Sequence, residues 1–289
     1  MIPVVDMCSG TGELSAATQG TLLAPTGLAS LSDSDSRARE YLAARWPGVD
    51  LYSDCRDQDV PDGAIITIGA PCQDLSCAGG RAGAAAGSGT RSALIHDCVA
   101  AAVAGHASLI VAENVPGGHD TYESIAAQLR DGGYKATLVT GGAWEVGAPH
   151  RRQRIMLAAT KHAWRVRPVN ATRATPPRRL LPTPTASSGT GPGRQGRAGG
   201  MNLQTWAATI DEPPLPLLYT WGQITGRTPP PRRDDQGRLN ARFVEWMMGL
   251  PAASNLSRQA RIRLAGNAVV ARQAALLLVR ALTQLNSTI

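Results

Sequence analysis

Cys72 is the residue whose surroundings most suggest reactivity. It lies in Pro71-Cys72-Gln73, just after the β-branched run Ala64 to Ile68. A strand that ends in Gly-Ala-Pro places such a thiol at the carboxyl edge of a doubly wound sheet, where ligands bind. A free thiol titrates near ~8.5, so attack at neutral pH needs a nearby cation, a helix N-terminus or a substrate-linked proton transfer. The alternative is a buried structural cysteine, which is the reading for Cys8, Cys55, Cys77 and Cys98. Glu113, in Glu113-Asn114-Val115, closes another apolar run, Leu109 to Ala112. A carboxyl among apolar neighbours can hold a proton near neutrality, donating to a ring nitrogen and accepting from an exocyclic amine. Taken alone, a solvated strand-end glutamate is the simpler reading. In Pro149-His150-Arg151-Arg152-Gln153-Arg154-Ile155, strand periodicity puts Arg152 and Arg154 on one face. Two guanidiniums there would grip a carbonyl oxygen, phosphate or carboxylate.

A glycine turn follows the first apolar run: Asp6-x-x-x-Gly10-x-Gly12. Glycines there allow close backbone approach of a ligand at a helix N-terminus. Asp33 lies 21 residues past Gly12, where an acid would meet a ribose hydroxyl. The third glycine of the dinucleotide fingerprint is Ser15 instead, which disfavours a nicotinamide dehydrogenase and leaves an ordinary tight turn open. Ser76 to Gly89, almost all Gly, Ala and Ser, reads either as a lid over Cys72 or as a slack surface loop.

The elements that must position these residues alternate. Strands are expected at Ile2 to Asp6, Ala29 to Leu31, Ala64 to Ile68, Leu109 to Ala112, Ala136 to Val139 and Ile155 to Ala159. Helices are expected at Glu13 to Gln19, Ser36 to Trp46, Arg91 to Ala104 and Tyr122 to Arg130. This order implies an α/β, doubly wound, mostly parallel sheet. The pattern changes near 165. Residues 166 to 237 hold 12 of the 20 prolines, which suggests a linker or an irregular loop-built module. Order returns at Arg242 to Met248 and in a single apolar helix from Ala268 to Leu285.

With 289 residues and 43% apolar content, the chain can bury a substantial core, which excludes a disulfide miniprotein and a disordered chain. No apolar run of the ~18–20 residues needed to span a bilayer is evident. The start MIPVVDMCSGTG has no basic or apolar leader, so a cytoplasmic setting is expected. The five cysteines form no CxxC pair, and no metal is expected. The net charge is +7. Residues 161 to 242 hold 13 basic and 4 acidic side chains, so the whole positive surplus sits in one segment. That suits a polyanion-facing module or a solvated arginine-rich surface.

In order along the chain stand DMCSGTGELS, GAPCQDLS, ENVPG, GAPHRRQRI, RFVEWMMGLP and LAGNAVV. Together these blocks resemble the cytosine-C5 DNA methyltransferase family, with GAPCQDLSCAGGRAG and LNARFVEWMMGLP closest to its phage and prophage members. The resemblance covers the chain except its middle. It implies a Rossmann-like S-adenosylmethionine-binding catalytic domain of residues 1–165 plus 258–289. It also implies a small irregular target-recognition domain of 166–257. The nucleophile then falls on Cys72, the base-binding acid on Glu113, and the paired arginines on Arg152 and Arg154. The implied cofactor site comprises Asp6, Cys8, Gly10, Thr11, Gly12, Asp33, Asp54, Pro71, Asn267 and Val269. Implied nucleic-acid contacts are Gln73, Ser76, Arg81, Arg178, Arg179, Arg194, Arg197, Arg232, Arg233 and Arg242.

The expected activity is methyl transfer to C5 of a cytosine flipped out of double-stranded DNA, by a monomer. RNA cytosine methylation and a catalytically silent DNA binder remain alternatives. Three departures stand out. Met7-Cys8 replaces an aromatic residue, Glu13-Leu14 a Gly-Phe pair, and His150 a glutamine.

Overall fold

The computed structural model describes residues 1–71, 93–173, 175–190, 201–210, 213–253 and 255–287. Cys72, Gln73, Ser76, Cys77, Arg81, Arg194, Arg197 and the expected lid therefore lie outside the described residues. The chain divides into two compact units. One comprises Met1–Gly141, Gln153–Val169 and Ala274–Ile289. The other comprises Gly142–Arg152 and Asn170–Gln273. The second unit is wider than the 166–257 segment expected from the sequence, because it takes in 142–152 and 258–273.

The first unit is built on seven strands: β1 (Ile2–Met7), β2 (Thr26–Ser32), β3 (Asp50–Tyr52), β4 (Ile65–Ile68), β5 (Leu109–Asn114), β6 (Lys135–Gly142) and β7 (Gln153–Thr160). They form one sheet in the order β3-β2-β1-β4-β5-β7-β6. Pairing is parallel from β3 through β5, and β7 runs antiparallel to β5. The mostly parallel α/β sheet expected from the sequence is what forms. Strands β4 and β5 are buried along their whole length, so they read as mainly apolar rather than alternating, with Thr67 in β4 and Glu113-Asn114 at the end of β5.

The helices are α1 (Glu13–Thr21), α2 (Ser36–Arg45), α3 (Leu94–Ala104) and α4 (His119–Asp131). Helix α4 shows why such segments fold onto a sheet. Tyr122, Ile125, Ala126 and Leu129, at i, i+3, i+4 and i+7, are its buried residues. Strand order reverses direction at β1, whose neighbours are β2 and β4. The loops leaving the carboxyl ends of β1 and β4 therefore flank a topological switch point, where open α/β sheets bind ligands.

The second unit has its own core, built from short helices set among irregular segments. It contains α5 (Leu203–Thr209), α6 (Leu215–Thr225), α7 (Ala241–Met247) and α8 (Arg258–Asn267). Trp206, Phe243 and Trp246 stack in sequence, with centroids 6.2 and 5.9 Å apart. The indole of Trp221 donates to Trp246 O at 2.8 Å, and that of Trp246 to Arg227 O at 2.9 Å, so these buried N–H groups have partners. The carboxylate of Glu245 meets Arg261 through two contacts of 2.8 and 2.6 Å, joining α7 to α8.

Helix α8 lies where the sequence pattern marked no element. Helix α9 (Ala271–Asn286) closes the chain. The stretch Arg258–Asn286 is long and apolar enough to cross a membrane by length and composition, although the sequence reading found no such run. Yet 61% of its apolar window is buried inside the protein, as in a core helix.

Candidate active site

The loop after β1 is built around a buried acid. Asp6, at the end of β1, is fully buried and accepts from Thr67 Oγ1 at 2.5 Å and Ser15 Oγ at 3.0 Å. Burial pushes its carboxyl up to about 7, although these hydroxyls oppose the shift. Asp6 thus ties β1 to β4 and to the first turn of α1. Gly10 and Gly12 adopt left-handed backbone, with φ of 57° and 70°. The two glycines do different work. A Cβ on Gly12 would collide with the Trp46 indole, whereas a Cβ on Gly10 would meet nothing within 4 Å. Gly12 is therefore needed for packing, and Gly10 leaves open space for a ligand's approach. Asp33 closes the same loop, accepting from Gly10 N at 2.8 Å and Asp35 N at 2.8 Å. Its carboxyl is raised, mainly by burial.

These residues fit a nucleoside-bearing cofactor. Thr11 Oγ1 is buried without a partner among the described residues, the open cradle at Gly10 lies beside it, and Asp33 edges the loop. Asp54 is arranged differently. Its carboxylate is gripped by Arg56, with contacts of 2.9 and 2.6 Å, and this pairing holds it down at about 2.

Cys8 does not join this cradle through its sulfur. Its Sγ lies within 4.8 Å of those of Cys55 and Cys98. Hydrogen bonds from Cys8 and Cys98 hold the Cys55 thiol well below the ordinary range, while contact with Cys55 pushes both donors up. Backbone packing allows the close approach. Gly69 N donates to Met7 O at 3.0 Å, and a Cβ on Gly69 would lie 2.7 Å from Cys8 O.

At the end of β5, Glu113 Oε1 stands 2.7 Å from Arg154 Nε, and both side chains are largely buried. A positive partner, rather than the purely apolar setting expected from the sequence, compensates this carboxylate. The next residue, Asn114, was missed as a site residue although it stands in the quoted ENVPG block. Its amide donates to Ala70 O at 3.3 Å and Tyr122 OH at 3.0 Å, and its Oδ1 accepts from Val115 N at 2.7 Å. Tyr122 OH in turn donates to Glu113 O at 3.3 Å. Asn114 thus fixes the carboxyl end of β5 to the chain beside Pro71, the last described residue before Cys72.

Arg152 departs from the expected pairing. Strand β7 begins at Gln153, and Arg152 precedes it with left-handed backbone, φ 27°. It shares no strand face with Arg154. Its guanidinium is buried and donates to Pro184 O at 3.4 Å, to Gly266 O at 3.1 Å and to Ala268 O. Arg152 therefore clamps the turn that follows α8. Asn267 and Val269 belong to that same turn region of the second unit, Asn267 exposed and Val269 half-buried.

The expected nucleic-acid residues also divide. Arg178, Arg179 and Arg242 are exposed on the second unit. Arg233 instead caps α5, donating to Ala207 O at 2.7 Å and to Ala208 O. Arg232 lies over the Trp206 ring, 5.9 Å from its centroid. Arg232 and Arg233, with Trp206, Leu218, Phe243 and Pro229 to Pro231, line a cavity of about 590 Å³.

The description C-5 cytosine-specific DNA methylase names a family whose pattern matches residues 2–190. The chain belongs to that family. It is 34% identical over 134 residues to Type II methyltransferase M.NlaX of Neisseria lactamica, covering 44% of this chain and 42% of that protein. It is 31% identical over 138 residues to Type II methyltransferase M2.BsuMI of Bacillus subtilis, covering 44% and 34%. The chain thus matches less than half the length of either curated relative. The solved S. pombe Dnmt2 methyltransferase superposes with a TM-score of 0.63 at 16% identity, covering 99% of this chain and 100% of that one. At that identity it speaks to the fold alone. The family expected from the ordered blocks is the family found, and its members are methyltransferases.

Proposed function

We propose that the chain transfers a methyl group from S-adenosylmethionine to C5 of a cytosine flipped out of double-stranded DNA. The observation that carries this reading is the Glu113–Arg154 ion pair at the carboxyl end of β5, tied by Asn114 to Ala70, two residues before Cys72. An acid and a guanidinium side by side suit the edge of a cytosine. Glu113 would hold N3 and the N4 amine, and Arg154 would hold O2. Addition of the Cys72 thiolate to C6 leaves C5 as an enamine carbon able to take the methyl. Loss of the C5 proton to a base, with elimination of the thiolate from C6, then restores the aromatic ring. Because C5 and C6 are stacked within a duplex, the base must leave the stack.

S-Adenosylmethionine, when bound, supplies the electrophilic methyl. Gly10, Thr11 and Asp33 would hold it. Asp6 acts beneath them by fixing the loop, and Asp54 would become available to the cofactor by releasing Arg56. Arg178, Arg179 and Arg242 would contact phosphates, which makes binding salt-dependent. The Type II names of the curated relatives favour DNA over RNA.

The test is transfer of label from S-adenosylmethionine to unmethylated genomic DNA, with bulk tRNA in parallel and Cys72→Ala and Cys77→Ala as variants. Label in DNA that disappears in Cys72→Ala and persists in Cys77→Ala is expected. Label in tRNA alone would move the substrate to RNA. Folded, cofactor-binding protein that labels neither would overturn the reading.

A further inference from the structure

Cys8, Cys55 and Cys98 are separated by 47 and 43 residues, and no spacing motif links them. The fold brings them together. Cys8 comes from the loop after β1, Cys55 from the short turn after β3, and Cys98 from α3. Their sulfurs all lie within 4.8 Å of one another, and those of Cys55 and Cys98 are 3.6 Å apart. Cys55 and Cys98 are buried, and Cys8 is half-buried. Cys8 holds left-handed backbone, φ 56°, a conformation unfavourable for a side-chain-bearing residue.

This spacing matches the demands of a thiophilic ion. A Zn–S bond of about 2.3 Å places sulfurs about 3.8 Å apart in a tetrahedron and about 4.0 Å apart in a trigonal plane. The observed separations reach that range with shifts of less than about 1 Å. No carboxylate or imidazole joins the group among the described residues, so the donor set is all sulfur. Sulfur donors select soft, filled-shell cations over hard ones.

We propose that Cys8, Cys55 and Cys98 form a three-thiolate site for a thiophilic d10 cation such as Zn2+. The site joins the loop that carries Gly10 and Gly12, the turn that begins at Asp54 and helix α3, so a bound ion cross-links three segments of the first unit. On binding, each thiol gives its proton to solvent and each sulfur donates a lone pair to the ion, with no change of oxidation state. The fourth position of a tetrahedral ion is left to solvent. The proposal is independent of the methyltransferase reading, because it concerns only binding.

The test uses the full chain, reduced and stripped of metal, titrated with Cd2+ as a spectroscopic probe and with Zn2+ for stability. Cys72 and Cys77 are the other thiols, so Cys72→Ala/Cys77→Ala serves as the control. Sulfur-to-cadmium charge-transfer absorption that saturates at one ion per chain is expected in the native chain and in the control. Cys8→Ser and Cys98→Ala should each weaken Cd2+ binding at least about tenfold. Zn2+ should raise the melting temperature of the native chain and the control but not of Cys8→Ser, because the ion binds the folded state. Cys8 is half-buried, so Cys8→Ser covers the case in which Cys98→Ala fails to fold. No charge-transfer band in the native chain, or a band lost in the control but kept in Cys8→Ser, would overturn the proposal.

Discussion

Asp6 makes stability depend on pH in a direction opposite to that of most acids. Its carboxyl moves from 3.8 to about 7 on folding, because full burial outweighs the donation from Thr67 and Ser15. Below 3.8 both the folded and the unfolded chains hold the proton. Between 3.8 and 7 only the folded chain holds it, so each rise of one pH unit costs about 1.4 kcal/mol of stability. Above 7 both forms are ionised and the loss stops. Across the window the contribution of Asp6 falls by roughly 4 kcal/mol as pH rises. Asp6→Asn keeps the shape and an acceptor for one of the two hydroxyls, sets an amide N–H against the other, and removes the titration. Urea unfolding of the native chain and the variant at intervals from pH 4 to 8 isolates the effect, because all other groups cancel in the difference. If the two units unfold separately, the effect belongs to the transition of the unit containing β1. Native stability minus variant stability should decline by about 4 kcal/mol from the acid to the alkaline end. A difference that stays flat within about 1 kcal/mol would refute the buried, proton-holding Asp6.

Glu113→Gln should lower the methyl-transfer rate by about 10²–10³-fold while leaving cofactor affinity unchanged, as read by steady-state kinetics beside equilibrium binding. Gly12→Ala should weaken S-adenosylmethionine binding by at least tenfold, about 1.4 kcal/mol, because the added methyl displaces Trp46 and strains a left-handed residue; calorimetric titration checks this. Arg152→Lys should cost about 2–4 kcal/mol in unfolding free energy, because an ammonium cannot reproduce the fork that holds Pro184, Gly266 and Ala268. Arg154→Ala should remove activity and, by leaving the largely buried Glu113 without its counter-charge, also cost about 3 kcal/mol of stability; full activity in folded Arg154→Ala would contradict the role given to Arg154. Glu245→Gln should destabilise the second unit by about 2 kcal/mol, seen in its melting, because the half-buried Arg261 loses its counter-charge.

What the sequence made legible was local. β1, β4 and β5 are central strands, so each carries a mainly apolar run, and the residues that close or follow these runs stand at the carboxyl edge of the sheet. That is why Asp6, Pro71 and Glu113 could be placed without coordinates. Strand β3 escaped because Asp50–Tyr52 is too short to show a period. Helix α6 escaped because its prolines look like breakers. Pro214 is its N-cap and Pro216 lies in its first turn, where the missing N–H costs nothing, and Leu217, Leu218 and Trp221 then turn inward.

The arginine block shows a subtler limit. Period-two reasoning holds only inside a strand, and Arg152 lies one residue before β7 with its backbone turned left-handed. A single φ angle thus separates a guanidinium that meets Glu113 from one that meets backbone carbonyls. The cysteines mark the furthest limit. Each alone reads as a small core residue, and nothing within 40 residues of any one of them hints at the other two. Their meeting depends on β1, the turn after β3 and α3 all arriving at one edge of the sheet. It is therefore a property of the topology rather than of any motif. For the same reason, a ligand there would report on the folded sheet as a whole, and its loss on unfolding should be as cooperative as the sheet itself.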